Sequence, residues 1–269
     1  MKQQPFYLIT AFLLSIAVPL QAQTDSSAAI NLQNTPPAKR IIQKRHLNII
    51  KVNLPPLLLK SYSLQYERVL GKEISVAVQY RTMPTTGLPF KDNILKLVDD
   101  EDPDTKKIIE DFKMSNYAIT PEVRIYLSRK GYGRGFYFAP FYRYASFTSN
   151  DLNVFYTDDN NEEQSIKMSG KLTSNTFGLG MGAQSALGKR FVLDWSFFGP
   201  HYGSGKGVFS GTTSQPLTPD EQDDLREQLD DIDIPLTDKT VDVNANGASL
   251  KLDGPWAGWR FTIALGFRF

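Results

Sequence analysis

Residues 259–269 constrain this chain more than any other stretch. Apolar side chains fall on Trp259, Phe261, Ile263, Leu265, Phe267 and Phe269, with Arg260, Thr262, Ala264, Gly266 and Arg268 between them. A strict two-residue period puts one kind of side chain on each face of a strand. Here one face is large and greasy and the other is small or charged. Such a strand needs an apolar medium on one side and a cramped polar interior on the other. That is the requirement of a closing strand in a transmembrane β-barrel. On this reading Phe269 is an insertion signal for the barrel-assembly machinery.

The same alternation recurs upstream. The spacing predicts strands over 47–54, 62–70, 73–82, 116–127, 136–147, 174–187 and 191–198, which with 259–269 makes eight. An even count suits a single-chain barrel. The connections alternate in length. Those at 71–72, 129–135 and 188–190 are short, and those at 83–115, 148–173 and 199–250 are long. Short turns at one end and long loops at the other distinguish a membrane barrel from a soluble sandwich. A ten-strand alternative arises from 240–252, where Asn246-Gly247 sits between short alternating runs, as in a hairpin.

The N-terminus carries Lys2, an apolar run from Phe6 to Leu20 and a small residue at Ala22. That pattern predicts a signal peptide over 1–22, the run being too short for a spanning helix. Residues 23–46 are polar and proline-containing and predict a flexible periplasmic lead-in before a barrel over 47–269. The formal net charge is +1 and no basic stripe is present, so nucleic acid is excluded as a partner. The chain contains no cysteine, which excludes disulfides, thiolate metal sites and cysteine nucleophiles.

If the apolar face meets lipid, the opposite face fills the lumen. It offers Lys51, Gln65, Glu67, Gln79, Arg81, Glu122, Arg124, Arg143, Gln184, Asp194 and Arg260. A barrel of eight strands is just wide enough for side chains to fill. Both charge signs are present, so the expectation is a polar plug of arginines and carboxylates. The glycines Gly178, Gly180 and Gly182 are expected to receive a large arginine side chain.

Two long connections carry helix signals. Asp102 and Pro103 suit the start of a helix over 103–114, with Ile108, Ile109 and Phe112 on one face. Thr218-Pro-Asp-Glu221 matches a capping box opening a helix to about Asp231. Leu225, Leu229 and Ile232 form its apolar stripe, which predicts a cap over the barrel mouth or against other loops. The acidic face of that helix is read as solvated, since no calcium-loop spacing is present. There are two histidines, His46 and His201. His201 is the single candidate rim site for catalysis, with Ser204 or Asp194 as conceivable partners.

Several phrases carry a family resemblance: Ile50-Lys-Val-Asn-Leu54, Tyr66-Glu-Arg68, Ile119-Thr-Pro-Glu-Val123, Phe138-Ala-Pro-Phe141, Gly199-Pro-His-Tyr-Gly203, Leu252-Asp-Gly-Pro-Trp256 and Gly266-Phe-Arg-Phe269. In these the region 47–269 resembles uncharacterised small outer-membrane β-barrel proteins of Gram-negative bacteria, a domain of unknown function. The resemblance implies an all-β, antiparallel barrel in the cell outer membrane and no catalytic residue. The expected role is structural or surface-interacting, with outer-membrane lipids and lipopolysaccharide as partners, an unidentified extracellular ligand and no cofactor. The rivals are a membrane-embedded lipid-modifying enzyme and a narrow solute channel.

Overall fold

The computed structural model describes residues 46–96, 103–128, 131–158, 162–232 and 234–269. The expected signal peptide, the lead-in up to residue 45 and the Asp102 cap lie outside the described residues. In chain order the elements are β1 (Asn48–Asn53), α1 (Pro55–Leu58), β2 (Tyr62–Val69), β3 (Ile74–Gly87), α2 (Lys91–Leu95), α3 (Pro103–Asp111), β4 (Lys113–Tyr126), β5 (Gly135–Thr157), β6 (Glu163–Leu187), β7 (Phe191–Phe198), β8 (Pro200–Thr212), α4 (Pro219–Asp230), β9 (Asp238–Asn244), β10 (Gly247–Trp259) and β11 (Thr262–Arg268).

Strands β1 to β7 pair antiparallel with their sequence neighbours, and β11 closes the circle between β7 and β1. Leu265 is the hinge of that closure, opposite Val52 on one side and Leu193 on the other. The barrel therefore has eight strands, not ten. The remaining three strands stand on its loop-bearing end. Past Gly199, β8 prolongs the line of β7 along β6, and β10 runs down into β11. The hairpin anticipated around Asn246-Gly247 is β9–β10, and it extends the sheet above the barrel rather than enlarging the ring.

Two expected loops are largely strand. Much of 148–173 is the upper part of the β5–β6 hairpin, in which Thr157 pairs with Glu163. The segment 199–250 opens and closes with β8 and β10, which pair from Trp259–Pro200 up to Gly247–Thr212. Half the wall thus rises well above the rest. The connections at 70–73, 127–134 and 188–190 stay short, so one end of the barrel is a turn end and the other a loop end.

The barrel is inside out compared with a water-soluble protein. Its outward positions include Val52, Leu64, Val78, Ile119, Leu179 and Leu265, all exposed. Among the described residues, the outward positions of the barrel strands between the two rims carry one charged side chain, Arg68, at the turn-end margin. Outward aromatics ring the loop end. Tyr80 is followed around the wall by Tyr117, Tyr144, Tyr142, Phe177 and Tyr202, linked by cross-strand register and ring contacts. Phe191, Phe267 and Phe269 mark the turn end. From Trp259 to Phe269 the wall is ten steps long, roughly 25 Å in height at about 3.3 Å per step on a strand tilted about 40°.

Above the ring, the inner face changes character along a single strand. On β6, Gln184, Thr176 and Ser174 are buried polar residues facing the lumen. Further up the same face come Met168 and Ile166, buried in an apolar cluster. Helix α4 covers them. Its N-terminus has the capping box foreseen, with Glu221 N donating to Thr218 Oγ1 at 3.3 Å and Thr218 N to Glu221 Oε2 at 2.8 Å. Leu225 and Leu229 are fully buried against Ile166, Met168, Val243 and Leu250, whereas Ile232 remains partly exposed. The backbone N–H of Thr157 donates to Asp224 Oδ2 at 2.7 Å, tying the helix to β5. Helix α3, shorter than the expected 103–114, lies along the same strand. Asn153 Nδ2 donates to Asp111 Oδ2, and Lys107 sits over the Phe155 ring. The result is a small folded hood with its own apolar core, built over the inner face of the taller wall.

Candidate functional site

Strand alternation sends the polar positions of eight strands into one narrow space. In its turn-end half lie Lys51, Glu67, Glu122, Arg124 and Asp194, each at most 4 % exposed. Lys51 Nζ reaches Glu67 Oε2 at 2.5 Å and Asp194 Oδ2 at 2.6 Å. Arg124 is the centre of the cluster. Its Nε donates to Glu122 Oε1 at 2.6 Å and its Nη1 to Asp194 Oδ2 at 2.6 Å, while Nη1 approaches Glu67 Oε2 at 3.3 Å and Nη2 donates to Gln65 Oε1 at 3.1 Å. Its plane lies over the Tyr137 ring, 4.4 Å from the centroid. Arg260 completes the cluster from above by pairing with Glu122 Oε2 and donating to Gln79 Oε1 at 2.7 Å.

All six carboxylate oxygens are satisfied. The rest of the donors are hydroxyls and an amide: Ser75 and Tyr126 to Glu67 Oε1, Tyr137 to Asp194 Oδ1, and Gln65 Nε2 to Glu122 Oε1. Three cations thus face three carboxylates with no carboxylate oxygen left unpaired. That is the condition under which buried charge is tolerated. Because Lys51, Glu67 and Asp194 have no exposed surface, this layer leaves no path for water along the barrel axis.

Room for the layer comes from small residues opposite large ones. A Cβ at Gly266 would lie 2.8 Å from Lys51 Cγ and 2.7 Å from Val192 Cγ2, so glycine there lets the lysine stem pass. The glycine face of β6 does not receive an arginine. A Cβ on Gly182 would meet the Tyr137 hydroxyl at 2.7 Å, and Gly178 is filled by Phe141 and His201. The physical reason is one of layering: the arginines stack on the aromatic rings, and the rings seat on the glycines. Arg260 lies 5.1 Å from the Phe141 ring centroid, as Arg124 lies over Tyr137.

The turn end is sealed by a third arginine. Arg268 donates to the carbonyls of Tyr132 and Gly133 at 3.0 and 2.9 Å, and Gln184 Nε2 also donates to Gly133 at 2.7 Å. These bonds draw the β4–β5 turn inward. Tyr132, in the left-handed region at φ 52°, packs with Ile49, Val69 and Val192 as an apolar stopper.

Sequence reasoning placed Arg81 and Arg143 in the same network, but the structure keeps them above it. Each makes one bond to a hydroxyl: Arg143 Nη1 to Thr120 Oγ1 at 3.2 Å and Arg81 Nη2 to Ser61 Oγ at 3.4 Å. Neither pairs with a carboxylate of the described residues. The residues missed were Ser75, Tyr126 and Tyr137, whereas Arg268 shares the inward face of the terminal strand expected for Arg260. Tyr126 lies in phase with Glu122 and Arg124, and that parity was the available signal.

His201 faces the lumen, edge-on to Phe141 at 6.1 Å and against Gly258. Ser204 lies three positions along β8 on the exposed face, and Asp194 is held by Lys51, Arg124 and Tyr137. Neither conceivable partner of His201 is therefore brought to it. Among the described residues no cluster of metal-ligating side chains occurs.

Comparison with known proteins gives a family without an activity. A family model described as a protein of unknown function, DUF3575, matches residues 37–202, which span β1 to β7 and the first residues of β8. No curated protein matches the chain.

Proposed function

The chain belongs to the DUF3575 family of proteins of unknown function, and from its barrel we propose an integral outer-membrane β-barrel protein with a structural or surface-interaction role. One observation carries this reading: a closed antiparallel ring that buries its charges and exposes its apolar side chains. A soluble barrel of this composition would leave Val52, Leu64, Val78, Ile119 and Leu265 in water around its whole circumference, far beyond the patch a soluble monomer tolerates. A hydrocarbon band flanked by aromatics removes that cost, and the estimated height of about 25 Å suits it. The closed ring leaves no unpaired strand edge in lipid.

The sealed charged layer favours a structural role over conduction, since a solute channel needs a continuous aqueous path. The hood, with its apolar core and acidic helix, is the part that meets the medium at the loop end.

Topology labelling tests the proposal, because the chain has no native cysteine. Single variants Asp223→Cys in the hood and Lys189→Cys at the turn end are expressed in a Gram-negative host. A membrane-impermeant maleimide added to whole cells should label the first and not the second. Both should stay with the outer-membrane fraction. Recovery in a soluble fraction, or equal labelling of both, would overturn the reading.

A further inference from the structure

The loop-end half of the lumen differs in charge from the half below it. There Arg81 on β3, Arg143 on β5 and Arg260 at the β10–β11 junction face one another, with His201 of β8 beside them. Arg143 donates to Thr120 Oγ1 at 3.2 Å and Arg260 to Gln79 Oε1 at 2.7 Å. Gln79 is the cross-strand partner of Thr120 and lies two residues from Arg81 on the same face, and His201 and Arg260 both lie against the Phe141 ring. Among the described residues, the carboxylate bonded to this group is Glu122, which is already shared by Arg124, Arg260 and Gln65. Cations therefore outnumber anions in this chamber, and arginine keeps its charge at any physiological pH.

The donors of the chamber are also underused. Arg81 Nε, Arg260 Nε and His201 Nδ1 are buried with no partner among the described residues. Asn116, one inward step nearer the loop end than Ala118, the cross-strand neighbour of Arg81, is 6 % exposed with both amide atoms unpartnered. Of these, Arg81 Nε, Arg260 Nε and Asn116 Nδ2 are donors, and unpaired buried donors are costly unless something accepts from them. Exposure gives the direction of entry. It is nil at Lys51 and Asp194, 13 % at the Arg260 side chain, and intermediate at Arg81 and Arg143, so water arrives from the loop end and stops at the charged layer.

We propose that this ring of arginines is an anion site, taking the phosphate group of a soluble molecule that enters the lumen from the loop end. Several donors converge from different strands, more than the two oxygens of a carboxylate would engage, and guanidinium forks match phosphate oxygens. The lumenal position favours a solute over a lipid headgroup, because lipid meets the outer wall and the arginines face inward. Phe141 beneath Arg260 and the Phe147–Trp256 ring pair above, at 5.5 Å between centroids, bound the chamber with apolar surface. They keep its dielectric low and the attraction strong. The site depends on the closed barrel and not on its placement in a membrane.

The test is calorimetric titration of the full folded chain in detergent micelles with inorganic phosphate at constant ionic strength. Saturable binding at one site is expected, weakened at least tenfold in Arg143→Gln and in Arg81→Gln, while Lys206→Gln on the exposed outer face binds as the parent does. Absence of saturable binding, or equal binding in the arginine variants, overturns the proposal. If both arginine variants fail to fold, the parent protein decides alone. Phosphate at constant ionic strength should raise its thermal transition more than chloride does, and no difference overturns the proposal. Phosphatidate in mixed micelles should leave phosphate binding unchanged; competition would assign the group to a lipid headgroup and overturn the solute assignment.

Discussion

Removing the Arg124 guanidinium should produce a defect that a second, charge-removing substitution repairs. In Arg124→Met, Glu122 keeps Arg260 and Gln65 as partners. Glu67 and Asp194, however, are left to share the single cation Lys51, 2.5 and 2.6 Å away, with neither carboxylate reached by solvent. Breaking a buried pair so that a charge stays uncompensated costs about 3–5 kcal/mol. At about 1.4 kcal/mol per decade that is a factor of roughly a hundred to several thousand in the folding equilibrium. The surplus negative charge resides on the Glu67–Asp194–Lys51 group. Arg124→Met with Asp194→Asn therefore leaves two cations facing two carboxylates, Lys51 with Glu67 and Arg260 with Glu122. It should recover about half or more of the loss, a coupling above about 1 kcal/mol in a double-mutant cycle. Urea unfolding in micelles, or the temperature at which the folded band shifts on a semi-native gel, measures both. An exposed control, Lys206→Ala at the Lys206–Asp253 pair, should cost about 0–1 kcal/mol. If the double variant is as unstable as the sum of its singles, the charge-balance account is wrong. If Arg124→Met behaves like the control, the layer is hydrated.

Other expectations follow from packing and caps. Gly266→Ala presses a methyl group into Lys51 Cγ and Val192 and should cost about 1–3 kcal/mol by overpacking, read as an earlier gel shift. Leu225→Ala opens a cavity under α4 and should weaken the hood by about 2–5 kcal/mol, seen as faster proteolysis within 213–237 while the barrel's gel shift stays unchanged. Thr218→Ala removes one half of the capping box and should cost about 1 kcal/mol in the same proteolysis assay. Planar-bilayer recordings of the parent protein should show no conductance above background, and stepwise openings would contradict the sealed charged layer.

The parts of this fold written plainly in the chain are those where the two faces of a strand meet different media. Ile50-Lys51-Val52 and Ile263-Ala264-Leu265 alternate because one side is exposed and apolar and the other meets the packed lumen, so strand, face and register follow from period alone. Above the ring that contrast disappears. Along β5 the run Ser146-Phe-Thr-Ser149 carries no apolar period, although each of its residues pairs with β6, and a register irregularity follows before Leu152. The strands were accordingly longer than the pattern that announced them. The charged layer was legible in composition and parity. Its division into a balanced lower group and an arginine-rich upper one was not, because that depends on how far each side chain reaches across the ring. Glu122 rises to Arg260 and so leaves Arg81 and Arg143 without a carboxylate.

The uneven height of the wall has a consequence for anything arriving at the protein. Strand β1 ends at Asn53 and β2 begins at Tyr62, whereas β5 continues from Ala145 to Thr157, roughly 40 Å of further strand at about 3.4 Å per residue. The rim is therefore a parapet on one arc and a low sill on the other. A visitor drifting along the surface meets the hood's back from one side and the lower ends of β1 and β2 from the other. Its approach has a compass bearing, set by where two neighbouring strands happen to stop.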